Sequence, residues 1–129
     1  MSFILVPSEG EDLQVNAWNW RPTLNFLFVA GVINENDYEL LGCQGSGGRV
    51  NAEKADQIAN AVTQKLASMN PGERMLADLS VSSEPKKKVV FSPDTNVKDI
   101  DTNDLYSTTP EWLQMFVTFC RRSGGFHVM

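Results

Sequence analysis

Reactive side chains are scarce in this chain, which has two cysteines and one histidine among 129 residues. Cys43 and Cys120 stand far apart and His127 has no second imidazole, so no paired spacing suits a structural zinc site. Long apolar runs are absent as well. The longest, residues 3–6 and 26–30, fall far short of the ~20 residues of a membrane-spanning helix. No basic region precedes the first run and acids follow it at once, so a secretory signal is not expected. The two thiols are therefore expected free, in a cytoplasmic protein. Positive charge is also in deficit: 11 Lys and Arg against 16 Asp and Glu give a net charge of -5. That balance weighs against nucleic acid and anionic membranes as partners, because both repel an acidic chain. The one basic run, Lys86-Lys87-Lys88, reads as a solvated loop or the guard of an edge strand.

What is present is ordinary for a globular chain: 42% hydrophobic and 21% charged residues, at a length that suits one domain. Short strands are expected at residues 3–6 and 13–15, separated by Pro7-Ser8-Glu9-Gly10. A first helix is expected from Pro22 to Ala30, with proline in its first turn, Leu24, Leu27 and Phe28 on its core face, and Gly31 as its stop. A short acidic helix over 34–41 and a glycine-rich loop over 42–49 follow. The strongest pattern starts at Asn51, a good N-cap, where Ala55, Ile58, Ala59, Val62, Leu66 and Met69 recur at three- and four-residue steps up to Asn70-Pro71-Gly72. Strands are expected at 75–81 and 88–91, joined as a hairpin through 82–87. Thr109-Pro110-Glu111 opens a last helix whose buried stripe is Trp112, Leu113, Phe116, Val117 and Cys120, widened by Met115 and Phe119. Arg121 and Arg122 then oppose the helix dipole, Gly124 or Gly125 stops the helix, and residues 126–129 form a final strand with Cys120 left as a buried thiol. The sum is a single α+β domain with two to three helices packed on a small, mainly antiparallel sheet of four to five short strands.

Three groups of residues carry candidate chemistry. Cys43-Gln44-Gly45-Ser46-Gly47-Gly48-Arg49 has the cysteine-five-arginine spacing of the phosphate loop of cysteine-dependent phosphatases. Cys43 would be the nucleophile there and Arg49 the oxyanion clamp, ahead of a helix whose N-terminus favours an anion. Leu41-Gly42 before the cysteine and Val50 after the arginine depart from that family, and these departures favour a flexible loop whose glycines supply positive φ. Trp18, Trp20 and Arg21 form the second group. On an extended segment the two indoles would face one side, either anchoring the core or offering a binding surface. The third is acidic: Asp99, Asp101 and Asp104, with Asp94, lie in a long polar stretch. That stretch lacks the glycine and distal glutamate of an EF-hand and reads as solvated loop or partner surface. No serine-histidine-acid set is assembled by local motif, and no cofactor is called for.

Several segments in order resemble a family of small bacterial proteins of unknown function. They are Leu13-Gln14-Val15-Asn16-Ala17-Trp18-Asn19-Trp20-Arg21-Pro22, Gly47-Gly48-Arg49-Val50, Pro71-Gly72-Glu73-Arg74, and Tyr106-Ser107 through Glu111-Trp112-Leu113 to Phe119-Cys120-Arg121-Arg122-Ser123-Gly124-Gly125-Phe126. The resemblance implies a bacterial, cytoplasmic, single-domain protein and brings no activity, cofactor or site residue. By analogy with other small acidic proteins, the leading expectation is a non-catalytic interaction, immunity-type or regulatory protein with a basic protein partner. A cysteine-dependent phosphate-ester hydrolase and a small-ligand binder remain the alternatives.

Overall fold

The computed structural model describes residues 2–84 and 106–129. Asp94, Asp99, Asp101, Asp104, the lysine run and the strand expected at 88–91 lie outside the described residues. Among those described, four helices and two antiparallel sheets form an α+β fold, in agreement with the class expected from sequence.

The larger sheet is built from β1 (Ser2–Pro7), β2 (Leu13–Asn16), β3 (Arg49–Asn51) and β7 (Gly125–Val128), in the order β2-β1-β7-β3 and antiparallel throughout. Alternation decides which face each side chain takes. Phe3, Leu5, Val15, Val50, Phe126 and Val128 point inward and are buried, so the helices lie on that face. Ile4, Val6, Gln14, Arg49 and His127 fall on the other.

α1 (Ala17–Val29) begins five residues earlier than expected. The Asn16 side chain accepts from the Asn19 N–H at 3.0 Å and caps the helix there, so Pro22 stands in its second turn rather than its first. Proline at that position removes only the bond to the Trp18 carbonyl, and burial of Trp20 in the core offsets the loss. The earlier start also resets the helix phase. Trp20, Leu24 and Leu27 form the core face, while Phe28 is 44% exposed against the Tyr38 ring.

α2 (Glu35–Leu41) starts with a capping box between Asn34 and Asp37. α3 (Ala52–Ala67) is capped by Asn51, whose side chain accepts from the Lys54 N–H at 2.7 Å, and buries Ala55, Ile58, Ala59 and Val62. The expected strand over 75–81 is instead a hairpin of β4 (Arg74–Leu76) and β5 (Val81–Ser82). The cause is local: the Asp78 carboxylate accepts from the Ser80 N–H at 2.9 Å, Leu79 takes φ 74°, and Leu76 pairs with Ser80. β6 (Ser107–Thr108) completes this second sheet on the other side of β4 and packs against α1.

α4 (Pro110–Ser123) opens as expected, with the Thr109 hydroxyl accepting from the Trp112 N–H at 3.2 Å. Phe119 is buried, but Met115 is 42% exposed, so the helix packs on one side more than on two. Gly124 ends it in the left-handed region. Gly125 then turns the chain into β7 at φ 100°, and a Cβ there would stand 2.7 Å from the Val50 carbonyl oxygen. Both features require glycine. α3 and α4 pack together over the sheet, and Trp20, Trp112, Phe116, Phe119 and Phe126 join in ring contacts at the centre.

Candidate functional site

The structure separates Cys43 from Arg49. Cys43 stands two residues past the end of α2 as an exposed thiol, and Arg49 opens β3. A cysteine-phosphatase loop runs from strand to helix N-terminus, whereas this one runs from helix C-terminus to strand. The residues next to Cys43 therefore meet the carbonyl end of a dipole, which repels an anion. The loop's own bonds engage three of its N–H groups. The Cys43 N–H donates to the Leu40 oxygen, the Ser46 N–H to the Cys43 oxygen, and the Gly48 N–H to the Ser46 hydroxyl, which itself donates to the Leu40 oxygen. Gly45 and Gly47 supply positive φ in this turn.

The tryptophan pair is also divided. On a helix, residues two apart point about 200° from each other, so the two indoles cannot face one side as they would on a strand. Trp20 is 1% exposed and donates its Nε1–H to the Leu41 oxygen at 2.9 Å. Trp18 is 40% exposed and lies 5.8 Å from the Tyr106 ring. Arg21, exposed, donates to the Tyr38 hydroxyl at 3.4 Å. A cavity of about 130 Å³ beside Trp20, Arg21 and Tyr106 has little room for more than a few waters.

Strand register assembles a different site. His127 on β7 stands directly between Val6 on β1 and Arg49 on β3, all three on the face away from the helices. Beside this row opens a cleft of about 460 Å³, lined by Val6, Ser8, Arg49, Asn51, Ala52 and His127 among others. Four of the five arginines donate to protein oxygens: Arg21 to Tyr38, Arg74 to Ser107 and Glu84, Arg121 to Asn60 and Thr63, Arg122 to Glu11. Among the described residues Arg49 has no such partner. Among the described residues no aspartate or glutamate lines the cleft, so the charge they place there is opposite in sign to that of the whole chain. The first residue of α3, Ala52, reaches its rim, where the helix adds partial positive charge.

No family model, curated protein or solved structure matches the chain.

Of the described residues in the three candidate groups, Arg49 alone lines this cleft; Asp99, Asp101 and Asp104 lie outside the described residues. His127, Ser8 and Ala52 carried no sequence signal as a group, since β7 must first be inserted between β1 and β3. Phe126 and Val128 do flank His127 with buried side chains, and that alternation marks its outward direction. Among the described residues Ser8 and His127 share the cleft without a carboxylate, so these residues form no serine-histidine-acid set there. A larger cleft of about 580 Å³ lies between the end of α1 and α3, and its polar lining is mainly the carboxamides Gln57, Asn60 and Gln64 with Lys65. Among the described residues no group of three or more His, Cys, Asp or Glu is placed to hold a metal ion, and no helix is long and apolar enough to cross a membrane. Cys120 is buried, and that burial pushes its thiol pKa upward despite the nearby Arg121.

Proposed function

We propose that this chain is a non-catalytic binding protein that receives an anionic group of its ligand in the Arg49–His127 cleft. The observation that carries the reading is Arg49: an exposed guanidinium without a protein partner among the described residues, on the edge strand β3, beside a cleft where those residues place no carboxylate. An arginine without a partner among the described residues, where the other four have one, is poised for an oxyanion. The imidazole opposite, the Ser8 hydroxyl and the first turn of α3 supply further donors. The cysteine-phosphatase reading gains no support from the Cys43 loop, which follows a helix C-terminus and turns the Cys43, Ser46 and Gly48 N–H groups onto its own oxygens. The basic-partner reading rests on the net charge and on Asp99, Asp101 and Asp104, and no geometry among the described residues favours it.

Titration of the isotope-labelled protein with acetate and with inorganic phosphate, followed by NMR, tests the proposal. Shifts are expected at the Arg49 side-chain N–H, the Ala52 amide and the His127 ring, and they should vanish in Arg49→Gln. Identical shifts in Arg49→Gln would sink it.

A further inference from the structure

We infer that the ligand is an amphipathic carboxylate, its head held by Arg49 and its aliphatic body laid across Val6, Ile4 and Met129 on the open face of the larger sheet. The inference rests on the anion-binding reading above and adds the identity of the group attached to the anion. Register supplies the path. Val6 pairs with His127 and Leu5 with Val128, and the Met129 N–H donates to the Ile4 oxygen at 2.9 Å. Ile4 and Met129 therefore form the next outward row beside Val6, His127 and Arg49. The rows are about 7 Å apart along the strands, and Arg49 lies about 10 Å from β1 across two strand spacings. A medium-length alkyl chain covers that diagonal.

The strip is apolar where a tail needs it. Ile4 is 36% and Met129 57% exposed, and Val6 is half-buried, although their inward neighbours Leu5 and Val128 are fully buried. Polar residues bound the strip on the β2 side, where Gln14 pairs with Ile4. Three side chains present far less than the ~800 Å² per partner of a stable protein interface, so a small molecule suits this surface better than a second chain. The head chemistry favours carboxylate over phosphate. A guanidinium pairs bidentately with either anion, but a carboxylate carries one charge against it, whereas a phosphate dianion leaves a second charge unmatched, and among the described residues no lysine or other arginine lines the cleft.

Isothermal titration of the full chain with acetate, hexanoate, octanoate and inorganic phosphate tests this. Full burial of a methylene is worth about fourfold in affinity, and half burial about twofold, so octanoate should bind on the order of 50-fold more tightly than acetate. In Ile4→Thr combined with Met129→Ser that ratio should fall below about tenfold, and Arg49→Gln should lose all four ligands. Acetate and phosphate binding without any gain from chain length overturns this inference and leaves the anion site standing. A chain-length gain that survives the double variant also overturns it. No binding of any of the four removes the anion site itself, and with it this inference.

Discussion

The indole N–H of Trp20 donates to the main-chain oxygen of Leu41 at 2.9 Å, and both residues are buried. This bond ties the middle of α1 to the last residue of α2, a helix of only seven residues whose terminal carbonyls lack partners within it. The same indole lies edge-on to Phe116 of α4, so one side chain joins three helices.

Trp20→Phe should therefore lower stability by about 2–4 kcal/mol, since it removes buried area and strands the Leu41 oxygen away from water. Trp18→Phe, on the exposed side of the same helix, should change it by less than about 1 kcal/mol. Urea unfolding of both variants checks the contrast. Equal costs would mean that the two indoles share one environment.

Gly125→Ala should cost about 3 kcal/mol or more, because the new Cβ meets the Val50 oxygen at 2.7 Å and φ is 100°. Gly45→Ala also has positive φ but opens into free space, so it should cost about 1 kcal/mol. Thermal unfolding of the two separates steric collision from backbone strain. A mild effect at Gly125 would contradict the close approach of β7 to the junction of β3 and α3.

The two thiols should behave oppositely. A water-soluble thiol reagent should modify Cys43 in the native protein and reach Cys120 only after denaturation. Folded Cys120 keeps its proton, whereas unfolded it ionises around its ordinary value of 9.0. Above that pH the unfolded state binds fewer protons than the folded state. Stability should then fall with rising pH, by up to about 1.4 kcal/mol per unit from this group. Cys120→Ala should show a shallower decline between pH 8.5 and 10.5 than the parent, the pH interval being set by the ~8.5–9 range of free thiols. Parallel declines would show that the thiol contributes nothing.

These residues also explain what was legible in the sequence. α3 and α4 carry their own caps and stripes, so Asn51 and Thr109 marked their starts, and Gly124 or Gly125 the stop of α4, without tertiary information. At α1 two local signals competed. Proline at 22 suggested a start, but the Asn16 cap and burial of Trp20 place it earlier, which moved both indoles and Phe28 to new faces. The Asp78 turn hid within an apolar run because Leu79 takes a conformation that leucine rarely adopts. The Arg49–His127 pairing was beyond sequence reach for a different reason. It depends on which strand neighbours β7, and that choice is made by packing between residues distant in the chain.

Two substitutions separate the cleft from the cysteine-arginine spacing that first drew attention to Arg49. Cys43 stands on the loop after α2 and does not line the cleft, so Cys43→Ser should leave acetate affinity within about twofold of the parent, the ±0.5 kcal/mol typical of surface changes. Arg49→Lys keeps the charge but loses the planar fork, and should weaken acetate about tenfold, consistent with a bidentate pair giving way to a point charge. A phosphatase-like loop predicts the reverse order for phosphate esters, with Cys43→Ser the more damaging change. Calorimetry on the two variants, run beside a phosphate-ester hydrolysis assay, decides between them. Ester turnover that disappears in Cys43→Ser would return the functional centre to the loop, whereas anion binding that follows Arg49 alone fixes it on the face shared by β1, β7 and β3.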